Sequence, residues 1–163
     1  MEACWTVFPA QAKRVMSLQS PLTKMSKSDP NPLSKILLTD TPSEINRKIM
    51  AAVTDSTNSV SYDPVNRRAV SNLVELLSHF DKHGRSPEEL GRLHEGVGLG
   101  EFKKLLADGI SEHLEPVRKK YEVFVNEDEG RYVNYMANMG MRRANEHSGQ
   151  TMSVVKKAVG LWM

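Results

Sequence analysis

Two segments carry a complete helix-start signature: Thr41-Pro42-Ser43-Glu44 and Ser86-Pro87-Glu88-Glu89. In each, a hydroxyl residue stands at the N-cap and proline at the first helical position, where its missing N–H costs nothing. A glutamate three residues past the cap can return a bond to the cap N–H. The first signature predicts a helix to about Val53, with Ile45, Ile49 and Ala52 on one face. The second predicts a short helix ending near Gly96. Asp63-Pro64 predicts another, in which Val70, Leu73, Val74 and Leu77 keep helical spacing. From Leu99 to about Val125, Phe102, Leu106, Ile110, His113, Val117, Tyr121 and Phe124 form a stripe. Gly109 and Pro116 inside it predict a kink or break. Two more helices are predicted at about 130–147 and 151–161, separated by Ser148-Gly149. The expected fold class is therefore mainly α. A helical bundle over 41–163, packed around Leu73, Leu77, Phe102, Leu106, Ile110 and Val117, follows a loop-rich head over 1–40. In the head, Arg14–Leu18 reads as a short strand. Ile36–Thr39 reads as either a strand or a single turn, which periodicity does not separate.

A chain of 163 residues suits one domain, or one with an appended piece, and can bury a real core. The formal net charge is only +2, so overall charge makes no case for nucleic acid; local charge does more. Between Gln11 and Lys35 stand Lys13, Arg14, Lys24, Lys27 and Lys35 against the single anion Asp29. Cys4 is the only cysteine, which excludes an internal disulfide and fits a reducing compartment. No apolar run reaches membrane-spanning length. The first twelve residues include Glu2 and no arginine, unlike a signal or transit peptide.

The chemistry concentrates in Lys24-Met25-Ser26-Lys27-Ser28, followed by Asp29-Pro30-Asn31-Pro32. Two ammonium groups flank a serine within turn-forming sequence. Each lysine offers a compact charge with three donors. Hydroxyls and free backbone N–H groups add short bonds to phosphate oxygens. The pattern suits a loop that wraps a polyphosphate, and chance matches to five fixed residues are rare.

This loop resembles the second signature (KMSKS) of class I aminoacyl-tRNA synthetases. The neighbouring segments extend the likeness. They are Arg14-Val15-Met16-Ser17-Leu18-Gln19, Ile36-Leu37-Leu38-Thr39-Asp40, Ala52-Val53-Thr54-Asp55-Ser56, Tyr62-Asp63-Pro64, Val70-Ser71-Asn72-Leu73, Gly100-Glu101-Phe102-Lys103-Lys104 and Ala158-Val159-Gly160-Leu161. Together, from about Arg14 to the end, they resemble the C-terminal half of tryptophanyl-tRNA synthetase of the bacterial and organellar type.

The resemblance implies an ATP-dependent ligase that charges tRNA(Trp) through a tryptophanyl-adenylate. It makes residues 1–40 a remnant edge of the class I Rossmann domain with its signature loop, and 41–163 the helical tRNA-binding domain. Lys24 and Lys27 match the two signature lysines and would stabilise charge growing on departing pyrophosphate. Ser26 and Ser28 would hold phosphates, and Met25 would anchor the loop by packing. The backbone at Val15 would lie against adenine. Mg2+ would bridge the phosphates, with no metal-ligating residue assigned in this chain. The family is homodimeric, and most of its dimer contacts would lie in the half not represented here.

The other class I signature, His-x-Gly-His, does not occur in these residues. The chain alone is therefore expected to be inactive. The alternative reading is a catalytically silent helical fragment that binds tRNA or a partner. Residues 1–13 depart from the family pattern, which would place glycine near Ala12, and read as a truncated or mispredicted gene end. An interrupted nuclear gene would favour the mitochondrial matrix over a bacterial cytoplasm.

Basic pairs recur along the body: Arg67-Arg68, Lys103-Lys104, Arg118-Lys119-Lys120, Arg142-Arg143 and Lys156-Lys157. Any one pair reads first as a solvated face. If the chain binds tRNA, Arg142 and Arg143, near Tyr132 and Tyr135 on one predicted helix, are the preferred phosphate contacts. Arg67 and Arg68 are the competing patch, and Trp162 is a further stacking candidate. Asp55-Ser56 reads as a C-terminal turn. The five histidines show no metal spacing; His79 and His83 lie four apart but lack a third ligand. Gly96-x-Gly98-x-Gly100 follows no strand and reads as a helix–helix connection.

Overall fold

The computed structural model describes residues 14–126 and 130–161. The described residues are mainly helical: α1 (Pro42–Met50), α2 (Arg68–Ser78), α3 (Pro87–Leu93), α4 (Leu99–Asn126) and α5 (Arg131–Ala158), with a single 3-10 turn at Pro32–Ser34. The chain forms two compact units, one ending at Arg118 and the other starting at Lys119.

Both capping boxes form as the sequence predicts. Thr41 accepts the Glu44 N–H while the Glu44 carboxylate accepts from Thr41, and Ser86 and Glu89 repeat the exchange. The predicted start at Asp63-Pro64 is corrected. Residues 64–66 form a turn held by Asp63, whose carboxylate accepts from the Val65 and Asn66 N–H groups at 3.0 Å. The helix proper begins at Arg68. Asn58 Oδ1 accepts the Leu99 N–H at 2.9 Å and so starts α4 from a distant loop.

The core of the first unit joins Leu18 to Ile45 and Ile49 of α1, Val70, Leu73 and Val74 of α2, Leu90 of α3, and Phe102, Leu106 and Ile110 of α4. Burial of such side chains stabilises by roughly 1.5–3 kcal/mol each. Val117 does not join them; it is 44% exposed. The inward position one residue on is Arg118, whose Nη1 donates to the Asp40 carbonyl at 2.6 Å. Of the predicted kink or break in α4, the break does not occur: the helix runs through Gly109 and Pro116 to Asn126. An interior proline loses one backbone bond and crowds the preceding turn; the buried stretch from Leu99 to Ile110 anchors the N-terminal side of it.

The second unit consists of the end of α4 and α5. The break predicted at Ser148-Gly149 is also absent, because α5 continues to Ala158. Ser148 turns its hydroxyl onto the Asn145 carbonyl at 3.2 Å, which spares the helix from competing for it. No α5 residue is buried. Phe124 stacks on Tyr132 with centroids 5.2 Å apart.

A candidate polyphosphate loop

The Arg14–Leu18 segment makes one antiparallel bridge, Met16 to Lys24, rather than a full strand. Two bonds flank it: Ser17 N–H to the Thr23 carbonyl at 2.8 Å, and Met25 N–H to the Val15 carbonyl at 2.9 Å. The hairpin is tied down at its base. Leu18 donates to the Ser34 carbonyl at 3.0 Å and accepts the Val53 N–H at 2.9 Å. Gln19 Nε2 donates to the Ala51 carbonyl at 2.8 Å. Ile36–Thr39, left open between strand and turn, is a turn: the Asp40 N–H meets the Leu37 carbonyl at 3.1 Å.

Lys24, Ser26, Lys27 and Ser28 are all exposed. Met25 is partly buried against the hydrophobic core, so it anchors the loop from beneath. Val15 is 40% exposed, and its carbonyl is committed to Met25. Neither Lys24 nor Lys27 has a carboxylate within ion-pair distance among the described residues. The nearby acid, Asp29, is occupied by the Asn31 N–H at 2.8 Å. Ser26 Oγ accepts the Ser28 N–H at 3.3 Å, and Asn31 Oδ1 accepts the Leu33 N–H at 3.0 Å. Local side-chain-to-backbone bonds thus shape the loop and leave both signature ammonium groups facing solvent.

Three cations that the sequence groups with solvated basic pairs are internal fasteners. Lys103, 8% exposed, donates to the Ala52 carbonyl at 2.7 Å and the Met50 carbonyl at 3.2 Å. It closes the C-terminal end of α1, where carbonyls lack helical partners. Burial holds its ammonium below the ordinary lysine range. Arg118 donates to the Asp40 carbonyl just ahead of α1. Arg67 clamps the α1–α2 connection. Its Nε and Nη2 bind both oxygens of Asp55, at 2.8 and 2.7 Å, and it also reaches Ser61 Oγ and the carbonyls of Thr57 and Ser59. That clamp holds Asp55 below the usual carboxylate range. Asp55 is thus more than a turn residue. The signal that could have found it is a fork-shaped cation twelve residues away, too unspecific to read alone.

Arg68, Arg142 and Arg143 are exposed. Arg68 borders an open cleft of about 260 Å³ with Met16, Leu22 and Glu75. On α5, Tyr132, Tyr135, Arg142 and Arg143 fall on one face at 3.6 residues per turn. Trp162 lies outside the described residues. Among the described residues, no three His, Cys, Asp or Glu side chains converge as a metal set, and no helix is long and apolar enough to cross a membrane.

Solved structures share this fold. Tryptophanyl-tRNA synthetase from Mycoplasma pneumoniae superposes with a TM-score of 0.70 at 23% identity, over 91% of this chain and 44% of that one. The Campylobacter jejuni enzyme, crystallised with ADP and tryptophan, gives 0.65 over 90% and 43%. The chain belongs to the class I tRNA synthetase family of the tryptophan and tyrosine enzymes, whose family model matches residues 6–115. Its similarity within that family is to tryptophan–tRNA ligases. The Bacillus anthracis enzyme is 39% identical over 94% of this chain, and the mitochondrial enzyme of Saccharomyces cerevisiae is 36% identical over 93%. The chain spans 45% and 39% of those relatives' lengths. The family match reaches back to residue 6, so residues 6–13 are not foreign to it, contrary to the expectation from the sequence.

Proposed function

We propose that this chain is the part of a tryptophan–tRNA ligase that supplies the phosphate-gripping loop and the helical tRNA-binding body. Residues 1–40 are the edge of its catalytic domain, and residues 41–163 are its C-terminal domain. The observation that carries the reading is the pair Lys24 and Lys27, exposed and without acidic partners among the described residues, on a loop whose base is pinned by backbone bonds. A cation without a carboxylate partner is free for phosphate.

In this reading tryptophan attacks the α-phosphate of ATP and pyrophosphate leaves. Charge grows on the departing oxygens. Lys24 and Lys27 approach it, and Ser26 and Ser28 donate through hydroxyl and backbone groups. The chemistry asks the protein for position and charge rather than for a nucleophile. Val15 lines the adenine side through its backbone. Mg2+ has no protein ligand set among the described residues and would accompany ATP on its phosphates. The tryptophanyl group then passes to tRNA(Trp), which α5 meets through Arg142 and Arg143. Arg68 remains a candidate contact, whereas Arg67 is spent on Asp55. The assembled enzyme is a homodimer. It works where bacterial-type translation runs, the mitochondrial matrix or a bacterial cytoplasm; relatives of both kinds support this.

The second reading, a catalytically silent RNA- or partner-binding fragment, draws on α5, which buries no residue. A chimera separates the two. Residues 14–163 replace the matching part of the Bacillus anthracis relative, and tryptophan-dependent exchange of pyrophosphate into ATP is measured. Exchange that disappears with Lys24→Ala or Lys27→Ala supports the ligase. A folded chimera that binds tRNA(Trp) without exchange supports the silent fragment.

A further inference from the structure

The loop contains a third lysine that the signature does not include. Lys35 lies on the far side of the 3-10 turn, and its Nζ donates to the carbonyl of Lys27 at 2.8 Å and to the carbonyl of Asp29. Both acceptors are neutral. No carboxylate pairs with Lys35 among the described residues. Lys35 is half-buried, whereas Lys27 and Ser28 are exposed. An ammonium therefore sits beneath the loop, bound only to its carbonyl oxygens.

This has a geometric consequence. In a trans peptide the C=O and the following N–H point opposite ways. Drawing the Lys27 carbonyl toward Lys35 turns the Ser28 N–H away from it, toward the outer side where Ser26 Oγ meets it at 3.3 Å. Asp29 is followed by Pro30, so the second carbonyl carries no opposing N–H. The carbonyls that would repel an anion are gathered on one side. The backbone N–H groups of Ser26 and Lys27, which meet no acceptor among the described residues, remain as donors. A concavity of backbone N–H groups binds anions.

We propose that Lys35 is a positioning residue for the polyphosphate site. By holding the Lys27 and Asp29 carbonyls it keeps these two acceptors off the ligand side and turns the Ser28 N–H outward, so that this N–H and the Lys24 and Lys27 ammonium groups meet a di- or triphosphate. This rests on the reading of Lys24–Ser28 as a phosphate loop. Lys35 does not touch the ligand; it acts through the peptide groups of residues 27–29, and its own unneutralised charge adds attraction from below.

The test uses the full 163-residue chain and inorganic tripolyphosphate as probe. Affinity is measured by calorimetry, and backbone amide exchange is followed in the same samples. Lys35→Met removes donor and charge, Lys35→Gln keeps a donor, and Lys35→Arg keeps both. The expected result is an affinity about tenfold weaker for Lys35→Met, partial recovery for Lys35→Gln, and near-parent affinity for Lys35→Arg. Exchange should quicken at Ser28 and Asp29 but not at Leu73 or Phe102. If Lys35→Met speeds loop exchange while affinity holds, Lys35 is only a structural prop and the inference falls. If Lys24→Ala and Lys27→Ala weaken binding but no Lys35 variant does, the inference falls and the phosphate-loop reading survives. If the parent chain does not bind, or the Lys24 and Lys27 variants bind as it does, both fall.

Discussion

Loss of the Asp40 side chain should cost this fold heavily. Its carboxylate accepts the Lys48 ammonium at 2.5 Å with both side chains 5% exposed, and it also accepts the Leu37 N–H at 2.8 Å. Its main-chain carbonyl, which takes Arg118, survives any side-chain substitution. Asp40→Ala therefore removes one charge of a buried pair and leaves the other without a partner. Removing one partner of such a pair costs about 3–5 kcal/mol, and the orphaned Leu37 N–H adds about 1 kcal/mol. Against a total stability of roughly 5–15 kcal/mol, that is a large fraction. Urea unfolding followed by circular dichroism should show the midpoint falling by about 2–3 M, taking a slope of about 2 kcal/mol/M. Adding Lys48→Met to Asp40→Ala removes the stranded charge and should recover most of the loss. A single variant costing under about 1 kcal/mol, or a double variant no more stable than the single, would refute the reasoning.

Other expectations follow from single contacts. A Cβ on Gly91 would lie 2.8 Å from the Tyr62 Cβ and 3.0 Å from its backbone N, so Gly91→Ala should destabilise by about 1–3 kcal/mol in chemical unfolding. Gly149→Ala meets open space inside α5; it should raise helical ellipticity and stabilise by about 0.5–1 kcal/mol, whereas a loss of ellipticity would favour a break there. Tyr62 is pushed up to about 12, first by burial and then by its hydrogen bond to Glu75. A raised value means its contribution is intact below the ordinary tyrosine value of about 10 and is lost as pH climbs from there toward 12. A phenolate difference titration of the parent chain against Tyr62→Phe should therefore show the late transition, and one near 10 would contradict the burial. Asp81 is held well below the usual carboxylate range, chiefly by the Arg85 guanidinium. Its contribution is present above about pH 4 and fades as pH falls below that. Asp81→Asn should accordingly flatten the acid side of the thermal-midpoint profile.

What was legible in the sequence is what short-range chemistry determines. Thr41-Pro42-Ser43-Glu44 and Ser86-Pro87-Glu88-Glu89 fix two helix starts because the bonds that make them lie within four residues. The apolar positions Leu73, Leu77, Phe102, Leu106 and Ile110 are buried as their spacing implies. The misreadings share a different cause. Asp63-Pro64 looks like a cap, but Arg67 is drawn to Asp55 twelve residues back, and the helix waits until Arg68. A hydrophobic stripe cannot see Arg118, because its burial depends on the Asp40 carbonyl 78 residues away. Lys103 and Lys35 are likewise hidden among ordinary basic residues until the carbonyls they serve are placed beside them. At Ser148-Gly149 and Pro116 the breaking signals are real but small against helices of 28 residues. The proposed phosphate loop rests on five consecutive residues, Lys24 to Ser28, so the sequence alone suggests it. The pinning of its base through Leu18–Val53 and Gln19–Ala51 was not legible there, because those bonds join segments more than thirty residues apart.

The central claim is that Lys24 and Lys27 act on developing phosphate charge rather than on tryptophan. Single-turnover adenylate formation in the chimera with the Bacillus anthracis relative tests it most directly, with tryptophan affinity measured on the same preparation. Lys27→Ala should slow the chemical step by about 10²–10³-fold, the usual loss for one donor to a transition-state anion, and leave tryptophan affinity within about twofold. An unchanged rate accompanied by weakened tryptophan binding would contradict the account and reduce the loop to a structural element.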